Sequence, residues 1–351
     1  MKRVCFFGIF DPNYARTKVL AEGFAQCGYE VVFCQVDPRV HLGWRKYVVL
    51  YTQGRRLRHQ HFDYVMVCFP SRVLAVVIAR LLLGRRIIFD AFLSMYDSNV
   101  FDRALYPARS ARALRDWFID WSSCRLAWRV LLDTNEHIVY FVSTFLVPRA
   151  KCIRVWVGAD EKVFYPRPAQ EPAIFTVHFH GTHTPLQGVS YIVEAARLLA
   201  DEPIQFRIVG NGQESKKVRE MARQWGLTNI DFVDNVPLAQ LADYITTSHV
   251  CLGIFGSTLK TTRVIPNKVF ECLAMGKPVI TADTPAMREL AELDIPPLVL
   301  VPRANPEALA EALRALACDP ARRAQLGRNA AAFFGAHLRA KIIVADILKQ
   351  L

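Results

Sequence analysis

Lys260, Arg263 and Lys268 are spaced around Pro266-Asn267, and Glu271 follows shortly after the last of them. Pro266-Asn267 reads as a helix start and Gly276-Lys277-Pro278 as its stop, so Lys268 and Glu271 fall in the first turns of one helix and the other two cations in the loop before it. Free backbone N–H groups and the positive end of the dipole make a helix start an anion site, and neighbouring cations add charge. A diphosphate is the natural occupant. Glu271, one turn inside, could accept two hydroxyl hydrogen bonds from a ribose while the helix start holds the phosphates. Ordinary solvated cations at a helix start are the plainer alternative.

Other chemistry-bearing residues compete with this run. His178, His180 and His183 have a spacing that could suit a metal, but 178 and 180 alternate along a strand and no acidic or thiol partner lies near them in sequence. No metal site is expected there, and the histidines are either loop groups near phosphate or structural. Gly210-Asn211-Gly212 follows a strand, opens a helix and precedes Asp234 by about 20 residues, the order of a dinucleotide fingerprint without its third glycine. Another strand, loop and helix come before it, which favours a tight turn lining a base pocket over NAD binding. The sequence has no G-x-S-x-G, H-E-x-x-H or P-loop pattern, which argues against the matching mechanisms. Asp90 and Asp133 each close a strand of the first half and could face an acceptor hydroxyl as base or orienter, or act as caps.

The elements that must position these residues form two repeats of one pattern. Apolar runs at Arg3–Phe10, Val31–Gln35, Tyr64–Phe69, Arg86–Phe89, Val130–Leu132 and Cys152–Val155 alternate with helical patterns, among them Thr17–Gly28. Continuous Val/Ile/Phe runs between helices mean a parallel sheet covered on both faces. After the Pro-rich stretch from Tyr165 to Pro172 the pattern restarts, with strands at Ile174–His180, Ile204–Val209, Ile230–Val233, Val250–Gly253, Val279–Thr281 and Leu298–Val301. Two doubly wound α/β domains follow, with ligands outside the carboxyl ends of the strands and a cleft between the facing loops. Pro70, Ser71, Arg72 and Arg80 interrupt Tyr64–Leu83, which therefore reads as a buried strand and helix instead of a membrane span.

Phe179-His-Gly181-Thr182, Gly188, Glu194-Ala-Ala196, Ile208-Val-Gly210-Asn-Gly212, Phe232, Ala242-Asp-Tyr244, Pro266-Asn-Lys-Val-Phe-Glu271 and Gly276-Lys-Pro-Val-Ile280 together resemble glycosyltransferase family 4, the retaining nucleotide-sugar transferases of GT-B fold. The first half agrees more loosely, through Phe89-Asp90, Asp133-Thr134 and Val157-Gly158 to Pro166. The resemblance implies an acceptor domain over residues 1–165, a nucleotide-sugar domain over 166–335 and a C-terminal helix over 336–351 returning to the first. It places a UDP- or GDP-sugar against Gly181, Thr182, Gly210, Gly212, Phe255, Gly256, Lys260, Arg263, Asn267, Lys268 and Glu271, and chemistry at Asp90, Asp133, Lys268 and Glu271. The donor is substrate, so no cofactor and no metal are implied, and the acceptor is a glycan or lipid-linked glycan in cell-surface polysaccharide assembly. Two departures matter. Members commonly carry two glutamates separated by seven residues; Glu271 matches the second, and Arg263 stands where the first would be. Their diphosphate-clasping Arg and Lys fall near His183 and at Gln187 here, so Lys260, Arg263 and Lys268 would take over that charge. A non-catalytic sugar-nucleotide-binding homologue is the alternative, and an NAD-dependent oxidoreductase the more distant one.

Composition sets the remaining bounds. The 351 residues are 52% hydrophobic and 22% charged without low-complexity tracts, a folded protein of two domains. Nine scattered cysteines, never in C-x-x-C spacing, suggest neither a disulfide framework nor a zinc site, and a cytoplasmic setting. Residues 1–150 hold 21 Lys/Arg against 12 Asp/Glu, whereas 151–351 hold 23 against 20, so the net charge of +12 belongs mostly to the first half. Six of those cations fall between Asp37 and Asp63 with no acid among them, interleaved with Trp44, Tyr47 and Tyr51. An anionic membrane surface fits that pattern better than nucleic acid does.

Overall fold

The structure, a computed structural model, describes residues 2–168, 170, 172–291 and 297–351. Residues 169 and 171 of the expected Pro-rich linker lie outside them. Each apolar run named above becomes a strand: β1 Lys2–Ile9, β2 Tyr29–Val36, β3 Tyr64–Val67, β4 Ile87–Phe92, β5 Arg129–Leu132 and β6 Cys152–Arg154, then β7 Phe175–His180, β8 Ile204–Val209, β9 Ile230–Val233, β10 Val250–Leu252, β11 Val279–Ala282 and β12 Leu298–Val301. They form two sheets, ordered β2-β1-β3-β4-β5-β6 and β12-β11-β10-β7-β8-β9, and every pairing is parallel. Parallel pairing requires a crossover between neighbours, and the helices supply it on both faces.

Two compact units result, one running to Gly158 and completed by Arg339–Leu351, the other Ala159–Leu338. In the first, Phe7, Val65, Val67, Phe89, Val130 and Phe141 centre an apolar cluster. The terminal helix Ala340–Leu348 packs on the helix Ala15–Gln26, and Gly23 makes the approach possible, since a Cβ there would sit 2.3 Å from the Ala340 carbonyl oxygen. Tyr64–Leu83 divides into β3 and the helix Val73–Leu83. Among the described residues no helix is long and apolar enough to cross a membrane.

In the second unit, β7 runs to β8 and β9 on one side, and the chain then returns to place β10, β11 and β12 on the other. The direction of winding therefore reverses between β7 and β10, and a crevice opens outside the carboxyl ends of strands at such a point. The loops bounding it are 181–188 after β7 and 253–266 after β10. Their backbones touch through glycines: a Cβ on Gly256 would lie 2.3 Å from Pro185 O, and one on Gly188, at φ +67, would lie 2.4 Å from Gly256 N.

Candidate functional site

Lys268 and Glu271 lie on one face of the helix Asn267–Ala274, three residues apart, and both side chains turn into the β7–β10 crevice. Lys268 is 4% exposed. Its Nζ donates to Gln187 Oε1 and, at 3.4 Å, to the carbonyl of Gly253, and it rests 3.6 Å from the centre of the Phe179 ring. Gly181, at φ +143, leaves room for it, because a Cβ there would be 3.1 Å from both Cε and Nζ. Burial pushes the Lys268 ammonium well below the usual lysine range, and the Cys272 thiol and Glu271 carboxylate only partly counter this. A cation so placed is short of negative charge, which an anionic ligand would supply.

Glu271 is also buried, and its Oε2 is 2.7 Å from Nε2 of His180, the last residue of β7. His180 Nδ1 in turn meets His178 Nε2 at 3.0 Å. The alternation that places 178 and 180 on one face of β7 thus makes a relay ending on the glutamate, which the sequence reading did not see. His178 stays neutral: burial, then His180, Arg207 and Lys268 hold its imidazole well below the ordinary value. His180 Nε2 thus lies against Oε2, one of the two oxygens that the sequence reading offered to a ribose.

The other expected donor contacts sort into several places. Gly210 and Gly212 owe their small size to the neighbouring loop: Cβ atoms there would fall 2.1 Å from Gly181 O and 2.7 Å from His183 N and O. His183 is buried, with Nδ1 2.9 Å from Ser215 Oγ, which also accepts from Gly212 N at 2.7 Å. Burial, then Lys268 and Arg219, bring the His183 pKa down to about 4. Gly256 abuts the 185–188 loop, whereas the Phe255 ring belongs to the hydrophobic core and offers a ligand only its backbone. Thr182 is exposed and Asn267 half-buried. Lys260 is not a solvated surface cation: it is 3% exposed within the turn Leu259–Thr262, with half-buried Arg263 at its end.

Asp90 and Asp133 belong to the first unit. Asp90 does not close its strand but lies inside β4, where Arg16 Nε meets Oδ1 at 2.8 Å and Oδ2 at 3.0 Å. Arg16 is 1% exposed, donates Nη1 to Val155 O at 3.1 Å and stacks 4.6 Å from the Phe92 ring. Burial raises the Asp90 carboxyl against the pull of Arg16. Asp133 follows β5 and meets His137 Nδ1 at 2.6 Å, both side chains being buried. Arg16 was missed in sequence because it meets Asp90 only through the fold, 74 residues away, whereas the His137–Asp133 contact is a local i,i+4 one whose spacing could have pointed to it.

Both units have the doubly wound α/β architecture of the GT-B class, which the chain shares over its whole length with the Anabaena protein HepE crystallised with UDP and glucose (15% identity, 100% of both chains, TM-score 0.70). Residues 174–319, within the second unit, match the family described as Glycosyl transferases group 1. D-inositol 3-phosphate glycosyltransferase of Kribbella flavida is 29% identical over 242 residues, and the putative colanic acid biosynthesis glycosyl transferase WcaI of Escherichia coli 36% identical over 114. These alignments cover 62% and 30% of this chain, and the chain spans 55% and 26% of those relatives' lengths.

Proposed function

We propose that the protein is a retaining glycosyltransferase that moves a sugar from a UDP- or GDP-sugar to a glycan or lipid-linked acceptor in cell-surface polysaccharide assembly. The observation that carries the proposal is the pairing of a buried, charge-deficient Lys268 with a buried Glu271 on one helix face at the β7–β10 switch point. In this reading Lys268 neutralises the diphosphate and Glu271 holds the ribose. Lys260, Arg263 and the start of the Asn267–Ala274 helix add positive potential. Charge on the leaving diphosphate would grow as the glycosidic bond breaks, and fixed donors in a dry crevice stabilise it without reorganising. Asp90, held by Arg16, and Asp133, held by His137, would orient the acceptor. HepE, bound to UDP and glucose in its crystal, and the two transferases above support the donor class and the activity.

The decisive experiment is a thermal-shift screen against UDP-, GDP- and other nucleotide sugars, followed by detection of transfer or hydrolysis of any that binds. A ligand at 100 times its Kd should stabilise the fold by about 2.7 kcal/mol. Stabilisation without turnover on any acceptor or water would favour the sugar-nucleotide-binding homologue, in which Arg263 at the first glutamate's place has cost the chain its donor-sugar contact. No stabilisation by any nucleotide sugar would remove both readings.

The proposal includes peripheral docking on the inner, anionic face of the cell membrane. The basic stretch forms the helix Arg45–Arg56 and the loop before it, where Val40, Leu42 and Trp44 are each more than two-thirds exposed, with Val48 and Tyr51 exposed on the helix beside Arg45, Lys46, Arg55 and Arg56. Apolar side chains ringed by cations suit a headgroup boundary.

A further inference from the structure

We infer that His180 is a positioning residue that makes Glu271 an uneven ribose clamp, so that one of the two ribose hydroxyls contributes most of the carboxylate's share of nucleotide binding. This rests on the assignment of Glu271 to the ribose and goes beyond it, because a glutamate free at both oxygens would weigh the two hydroxyls alike.

The argument is one of hydrogen-bond capacity. The path His178 Nε2, His180 Nδ1, His180 Nε2, Glu271 Oε2 has steps of 3.0 and 2.7 Å and is buried throughout. His178 Nδ1 is buried and has no hydrogen-bond partner among the described residues. An unprotonated nitrogen left alone there costs less than an N–H left alone, so the proton of neutral His178 belongs on Nε2. It then donates to His180 Nδ1, which must be the bare nitrogen of its ring, and the His180 proton sits on Nε2 and donates to Glu271. Each tautomer is fixed by the next group along. The relay holds the carboxylate in one rotamer and occupies one in-plane direction of Oε2, leaving Oε1 as the unencumbered acceptor. A hydroxyl arriving at Oε2 must share that oxygen with an imidazole donor already at 2.7 Å.

Calorimetry on the intact protein with UDP or GDP, whichever binds, and its 2′-deoxy and 3′-deoxy forms, tests this. In the native protein one deoxy form should bind about tenfold more weakly, as expected for one hydrogen bond to a charged group, and the other less than threefold more weakly. His180→Phe keeps a ring but removes the donor, and should bring the two losses within about twofold of each other. His180→Gln restores a donor near the Nε2 position and should restore the inequality. Equal losses for the two deoxy forms in the native protein would overturn the inference and need no variant to fold. If Glu271→Ala leaves the parent nucleotide's affinity unchanged, the ribose assignment itself falls, and the inference with it; a weakened Glu271→Ala together with equal deoxy losses defeats the inference alone.

Discussion

Replacing Lys268 by Met separates the diphosphate from the rest of the nucleotide and sets binding against stability. Methionine is close in length and apolar, so the space beside Gly181 and the Phe179 ring stays filled while the donors to Gln187 and Gly253 are lost. A hydrogen bond to a charged group contributes about 1.5–3 kcal/mol, so UDP or GDP should bind roughly 10- to 150-fold more weakly. The nucleoside alone, which has no phosphate for Lys268 to meet, should lose less than about threefold. Stability should move the other way. Burial depresses the Lys268 pKa, so between its folded and unfolded values the unfolded chain binds the extra proton, and stability rises with pH across that window. Below the folded value the native protein carries the full penalty of that buried charge. Met removes it, so thermal unfolding at pH 7 should occur no lower than in the native protein, and the gain should shrink as the pH is raised toward the ordinary lysine range. The same linkage makes nucleotide diphosphate affinity fall as rising pH removes the Lys268 proton, a fall that the Met variant should lack. Calorimetry of nucleotide and nucleoside side by side, with thermal unfolding across pH, provides the readout. Equal losses for nucleotide and nucleoside would refute the placement of the diphosphate on Lys268.

Acid should expose His183: with a folded pKa of about 4 against an unfolded value near 6.5, its contribution is intact above pH 6.5 and lost as the pH falls toward 4, up to about 3 kcal/mol, and urea titrations should show a shallower acid loss in His183→Gln. Asp90→Asn should cost about 3–5 kcal/mol of stability by leaving Arg16 uncompensated, whereas Arg16→Met with Asp90→Leu should recover most of it; a fully stable Asp90→Asn would contradict the pairing. Binding to anionic liposomes should fall as salt rises, over a screening length of about 10 Å at 0.1 M, and Trp44→Ser should weaken it; salt-independent or absent binding would leave that surface merely solvated. An α-linked donor should give an α-linked product, read from anomeric coupling by NMR, and a β-linked product would overturn retention.

The strands were legible because a parallel sheet covered on both faces needs unbroken apolar runs, and Val4–Phe7, Val65–Val67, Ile87–Phe89 and Val177–Phe179 announce themselves to within a residue or two. The Pro266–Gly276 block was legible for a different reason, since helix starts and stops have local chemistry that does not wait for the fold. What could not be read was burial of charge. Lys260 and Lys268 look like solvated cations around a helix start, yet both are buried, Lys268 against Gly181 and Gln187 of the 181–188 loop. Arg16, just ahead of the helical pattern read from Thr17, gave no sign of its partner because Asp90 is 74 residues away.

The same packing bears on one departure from the pattern of the family that the second unit resembles, the one at Gln187. The cation that the family draws from the position of Gln187 is missing from that loop, yet Nζ of Lys268 lies against the Gln187 side chain. A positive charge is thus delivered to one place in space from a different place in sequence, and three residues make the exchange sterically and electrically feasible. Gly181 leaves room for the head group, Gln187 accepts from it in place of repelling it, and Phe179 offers a ring face to the ammonium. The exchange couples all three to the lysine. Gln187→Lys would put two ammonium groups in contact within a dry crevice and should damage nucleotide binding in the native background. In the Lys268→Met background the same substitution should restore binding, toward the affinity of the native protein. A Gln187→Lys, Lys268→Met protein that binds no better than Lys268→Met alone would show that the two positions do not serve one charge.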